Sequence, residues 1–76
     1  MAKATKIDKE IGQKIEFHRL LKRRSRKWLG DKIERSYHQV QNYEYGKNRV
    51  SASTLLAIAE ALKAPITNFF PNKNDK

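Results

Sequence analysis

The sequence contains no cysteine, and its only histidines are His18 and His38. Disulfide staples and thiolate metal sites are therefore excluded, and a zinc cluster lacks ligands. No apolar run approaches the ~20 residues needed to cross a bilayer, and the opening Met-Ala-Lys-Ala-Thr-Lys has no apolar signal-peptide core. A soluble cytoplasmic chain with no membrane partner is the expectation. No Ser/His/Asp, Cys/His or paired-carboxylate constellation is spaced for catalysis, and 76 residues enclose little pocket volume. No catalytic residue, no metal, no cofactor and no small-molecule ligand is thus expected. Internal repeats and low-complexity segments are missing, as are β-branched runs bounded by turns. Acidic residues are scarce: 8 Asp and Glu face 17 Lys and Arg, a net charge of +9. Such an excess calls for an anionic partner without saying which.

What is present is helical periodicity. Residues 1–7 and 72–76 are short and polar and read as tails, with the domain at 8–71. Ile7, Ile11, Ile15 and then Leu20 or Leu21 recur at helical spacing, predicting a first helix over Asp8 to Lys22. Ser25 caps a second, short helix whose Leu29 and Ile33 share a buried face. Ser36 followed by Gln39 fits a capping box, predicting a third helix over Tyr37 to Tyr45 that ends at Gly46. Ser51 caps a fourth, in which Leu55, Leu56, Ile58, Ala59 and Leu62 make the strongest apolar stripe. Pro65 suits the start of a final short helix holding Ile66, Phe69 and Phe70. The fold class that follows is an all-α, compact five-helix domain.

Helices two and three, separated by a few residues around Glu34 and Arg35, have the spacing of a helix-turn-helix. That geometry needs Leu29, Ile33, Val40 and Tyr43 in one cluster, with Gly30 allowing the crossing helices to approach. Turning Val40 and Tyr43 inward leaves Tyr37, His38, Gln41 and Asn42 outward, flanked by Gln39. All can hydrogen-bond, and amide side chains pair bidentately with adenine in the major groove. Tyr37 either stacks on a sugar or thymine methyl or packs over the turn. Trp28 is either a partly covered surface aromatic or a partner contact.

Over Ile11 to Phe70 the sequence resembles the lambda repressor and Cro class, the Xre family of prokaryotic regulators. Ile11-Gly12, Ile15, Arg19, Ser25, Leu29, Val40, Glu44, Gly46, Ser51 to Leu62 and Phe69 carry the likeness. The stretch from Gln39 to Ser53, followed by Pro65-Ile66-Thr67-Asn68-Phe69-Phe70, looks like a branch common in alphaproteobacteria. The resemblance implies that Tyr37, His38, Gln39 and Asn42 read bases, and that groups at the start of helix two and after helix three hold phosphates. Arg26 matches the first phosphate position, where the family usually has glutamine. Lys47, Asn48 and Arg49 match the second, and Ser36 joins the phosphate set. Arg19 and Glu44 match a pair that forms an internal salt bridge in the family.

Four residues depart from the pattern: Glu34 for the turn glycine, Arg35 for an apolar residue, and Arg23 and Arg24 for a glycine and an apolar residue before helix two. They imply either rearranged turns or a marginally stable domain, since a side chain in a left-handed turn costs roughly 1 kcal/mol and Arg24 is no ordinary staple onto Leu29. The function implied is sequence-specific binding of double-stranded DNA by a bacterial, nucleoid-associated regulator acting as a homodimer. Ile66 and Phe70, if exposed, form its apolar contact. The alternative is a protein-interaction module resembling an antitoxin, using Trp28 and Phe70, with DNA binding secondary.

Overall fold

Hydroxyl side chains start each of the four α-helices found among the described residues. Thr5, Ser25, Ser36 and Ser51 accept hydrogen bonds from the backbone N–H groups of Asp8, Trp28, Gln39 and Thr54. The computed structural model describes residues 5–71: α1 Lys6–Leu21, α2 Arg26–Ile33, α3 Tyr37–Tyr45, α4 Ala52–Leu62 and a 3-10 turn Ile66–Phe69. The predicted five helices are therefore four α-helices and one turn. The last segment lies between Pro65 and Pro71, and Phe70, the residue before Pro71, is extended at φ −96° and ψ 150°. A residue preceding proline is pushed out of the helical region, which ends the segment after one turn.

The first helix also begins earlier than predicted. Thr5 and Asp8 form a full capping box, the Thr5 N–H donating to Asp8 Oδ2 at 2.7 Å, so Lys6 and Ile7 are helical rather than tail. The remaining tail residues, 1–4 and 72–76, lie outside the described ones. The box predicted at Ser36 is only half made. Ser36 Oγ takes the Gln39 N–H at 3.1 Å, but the Gln39 side chain turns away to Asn48 Oδ1 at 3.4 Å.

The required cluster forms: Leu29, Ile33, Val40 and Tyr43 are buried with Ile15, Leu55, Ile58, Ala59, Leu62 and Phe69. Helix α1 turns Ile15 and, in part, Ile11 inward as the spacing predicts, but the rest of its buried face is not the apolar one. Asp8, Gly12, Ile15 and Arg19 are buried, whereas Ile7, Leu20 and Leu21 are exposed. The reason is the neighbour. A Cβ at Gly12 would run into the carbonyl oxygens of Tyr43 and Glu44, so α1 lies directly against the end of α3, where the Glu44 carboxylate meets Arg19. Leu56, predicted as part of the α4 stripe, is likewise exposed.

Both unusual turns keep a left-handed residue. Glu34 has φ 61° and ψ 46°, and Arg23 has φ 56°, so the backbone retains the glycine conformation without the glycine. Each costs roughly 1 kcal/mol. The turn after α2 is locked by the Arg35 N–H donating to the Gly30 carbonyl at 2.8 Å. Before α2, Arg24 replaces the hydrophobic staple by lying over the Trp28 ring, 4.6 Å from its centroid.

Candidate nucleic-acid interface

Burial divides α3 cleanly. Val40, Tyr43 and Glu44 face inward, Tyr37 and His38 are exposed, and Gln39, Gln41 and Asn42 are half-buried. The Tyr37 and His38 rings stack on each other with centroids 4.3 Å apart. Tyr45, two turns after Tyr37 and one after Gln41, shares this outer face and is half-exposed. Reading for hydrogen-bonding residues near the helix start missed it. The signal was the i, i+4 spacing from Gln41, whose Nε2 donates to the Tyr45 hydroxyl at 3.4 Å.

Beneath α3 lies a charged knot. Arg19 Nε and Nη2 donate to Glu44 Oε2 and Oε1 at 2.6 and 3.1 Å, the expected bridge, and the Glu44 side chain has no solvent exposure. Arg19 Nη1 also donates to the Arg24 carbonyl at 2.7 Å, tying α1 to the start of α2. Arg26 joins the same carboxylate: its Nε donates to Glu44 Oε1 at 2.9 Å, and Nη2 lies 3.7 Å from Glu16 Oε2. Its guanidinium sits 5.4 Å from the Tyr45 ring centroid. The Glu44 hydrogen bond holds Arg26 above its usual pKa, while the Gln41 amide and the Arg26 charge pull the Tyr45 phenol below its own.

The residues matched to phosphate positions are thus not equivalent. Arg26 has its Nε engaged by Glu44 and its Nη2 within ion-pair reach of Glu16, which leaves the rest of its guanidinium edge open. Its outer edge, with Arg19, Ser25, Lys27 and Tyr37, lines an open cleft of about 480 Å³ between the starts of α2 and α3. Ser36 is committed to its helix cap, and Asn48 accepts from Gln39. Arg49 Nε donates to Asp8 Oδ2 at 3.3 Å. Lys47 is exposed. These positions flank α3 at both ends, with the cleft at its start and Lys47 to Arg49 after its Gly46 cap.

Elsewhere, Trp28 is half-buried against the core, with Arg24 and Lys32 near its ring. Ile66 packs partly on the core, while Phe70 is half-exposed. Among the described residues no group of three His, Asp or Glu side chains converges as a metal site, and no helix is long and apolar enough to cross a membrane.

An HTH-type transcriptional regulator of Rickettsia prowazekii is 48% identical over 65 residues, covering 86% of this chain and 50% of the relative. A transcriptional regulator from the ATPase CF(0) region of Rhodospirillum rubrum is 41% identical over 64 residues, covering 84% and 59%. The chain is a helix-turn-helix domain of the HTH-type transcriptional regulators. It spans about half the length of the curated relatives it matches. The restriction-modification controller protein C.AhdI of Aeromonas hydrophila superposes on this regulator domain with a TM-score of 0.78 at 26% identity, covering 82% of the chain and 94% of the controller. No protein-family model matches the chain. Within this lambda repressor and Cro-like class, the left-handed Glu34 and Arg23 are substitutions inside a retained backbone.

Proposed function

We propose that this domain binds double-stranded DNA sequence-specifically, laying α3 in the major groove as a homodimer on paired half-sites about 34 Å apart. The observation that carries this reading is the outer face of α3. Tyr37, His38, Gln41, Asn42 and Tyr45 present hydrogen-bonding groups on a helix capped at both ends, while its other face is locked into the core. A helix so held offers base edges a fixed set of donors and acceptors, and Gln39 and Asn42 supply further amides matching adenine N6 and N7. The net charge of +9 supplies the attraction to the backbone.

Phosphate contacts fall to the cleft at the start of α2 and to the segment 47–49. In the cleft, the α2 N-terminus and Lys27 meet an anion beside Arg26, whose Nε is already taken by the Glu44 carboxylate it shares with Arg19. Backbone contacts at both ends of α3 set its register without reading sequence. Phe70, half-exposed beside the partly covered Ile66, is the apolar contact for the twofold partner. The setting is the bacterial cytoplasm, on the nucleoid.

Selection from random duplexes tests the whole reading. Enrichment of a near-palindromic motif with half-sites one helical turn apart is expected. Binding that depends on salt and length but returns no motif would rule out a sequence-specific regulator, and sedimentation as a monomer with and without the selected duplex would rule out the dimer.

A further inference from the structure

The Arg26–Tyr45–Gln41 chain has a part to play beyond the salt bridge beneath it. Arg26 is the first residue of α2, anchored at its Nε by a fully buried Glu44 carboxylate, so its guanidinium is held in place beside α3. Tyr45 lies against that guanidinium, and its ring is therefore supported on one side although half of it is exposed. The Tyr45 hydroxyl in turn accepts a hydrogen bond from Gln41 Nε2. A carboxamide free to rotate presents donor and acceptor to the groove interchangeably. One whose nitrogen is held presents its oxygen.

We infer that Arg26 and Tyr45 are positioning residues for base reading: they orient the Gln41 carboxamide so that its Oε1 faces the groove and accepts from an exocyclic amino group, adenine N6 or cytosine N4. This rests on the DNA-binding reading above. It assigns to Arg26 a task other than neutralising a phosphate, and it gives a reason for an arginine after the cap serine whose Nε is turned onto the buried Glu44 carboxylate. It also gives the outward Tyr45 a reason to be tyrosine rather than phenylalanine. An acceptor held in place discriminates because guanine O6 and thymine O4, also acceptors, repel it and leave it unpaired.

The test begins with selected duplexes and the variants Gln41→Ala, Tyr45→Phe and Arg26→Gln. Gln41→Ala identifies the base pair that Gln41 reads as the one position where preference relaxes. Duplexes are then made with that pair's amino group deleted, purine replacing adenine or 2-pyrimidinone replacing cytosine. Wild type is expected to lose roughly three- to ten-fold in affinity on the deletion, the worth of one hydrogen bond, and Gln41→Ala to lose nothing further. Tyr45→Phe keeps the ring and removes only the hydroxyl; it should relax the same base pair, with its melting temperature and salt slope unchanged. Arg26→Gln should relax that pair too, while also lowering the melting temperature. Indifference of wild type to the amino deletion, or a Tyr45→Phe protein that retains full preference at that pair, overturns the inference and leaves the regulator reading standing. An Arg26→Gln protein that keeps the preference Tyr45→Phe loses removes Arg26 from it. If wild type selects no motif at all, the regulator reading falls and the inference falls with it.

Discussion

Helices α1 and α4 are the two longest in the domain, and they are buried by opposite means. Helix α4 turns in Leu55, Ile58, Ala59 and Leu62 and is held by apolar packing. Helix α1 turns in Asp8, Gly12, Ile15 and Arg19, and leaves Phe17, Leu20 and Leu21 in solvent. One side is an ordinary amphipathic stripe. The other is a set of specific fits: a capping carboxylate, a glycine that lets two backbones approach, and an arginine that satisfies a buried glutamate. The difference teaches that hydropathy locates a buried face only when the neighbour is also apolar. Against α1 stands the end of α3, whose Glu44 needs a cation and whose carbonyl oxygens leave no room for a side chain at Gly12.

The comparison can be broken most severely at the charged knot. Glu44→Ala leaves Arg19 and Arg26 around an empty site, and Arg19 is itself buried, so a loss of about 3 to 5 kcal/mol is expected in a denaturant titration. In a domain of this size that approaches the whole stability. Helix α4 should answer differently. Leu62→Ala, at a fully buried position, should cost about 2 to 5 kcal/mol, whereas Leu56→Ala on the exposed side of the same helix should stay within about 0.5 kcal/mol. A large loss at Leu56 would mean that this face too is covered.

A gain is expected at the turn. Glu34→Gly relieves a left-handed side chain at φ 61° and should stabilise by about 1 kcal/mol, raising Tm by about 4 to 8 °C. The same residue taken to Ala should give no such gain.

The smallest effect belongs to pH. His18, on α1 against Phe69, is held below its ordinary value of 6.5 by burial and then by Lys14 and Lys22. The unfolded chain therefore binds the proton more readily. The stability this contributes is complete above pH 6.5 and is lost as pH falls through the lowered native value. Melting between pH 7.5 and 5 should show a fall smaller than the Glu34→Gly gain, and His18→Phe should flatten it.

Much of this architecture was legible beforehand, because short helices declare their ends. Ser25, Ser36 and Ser51 each occupy the cap position they were read to occupy, and Leu29, Ile33, Val40 and Tyr43 meet as the helix-turn-helix demands. The differences have two physical origins. Periodicity points Ile7 and Leu20 or Leu21 inward but cannot see that a polar face is wanted against α3. Pro71 restricts Phe70 and ends the last segment after one turn. At the site, the outward residues of α3 follow from its period, and the Arg19–Glu44 bridge from the family likeness. The engagement of Arg26 by Glu44, and with it the role proposed for Tyr45, depends on side chains 18 positions apart meeting in space. No local spacing announces that.

The central claim is that the outer face of α3 reads bases while its flanks hold the backbone. Affinity for selected and random duplexes, measured across a salt series for Asn42→Ala and Lys47→Ala, tests it most directly. Asn42→Ala should lose about 1 to 3 kcal/mol of preference for the selected duplex with its salt slope unchanged. Lys47→Ala should weaken both duplexes alike and flatten the slope by about 0.9. An Asn42→Ala protein that binds both duplexes equally less well, with its preference intact, would contradict the account.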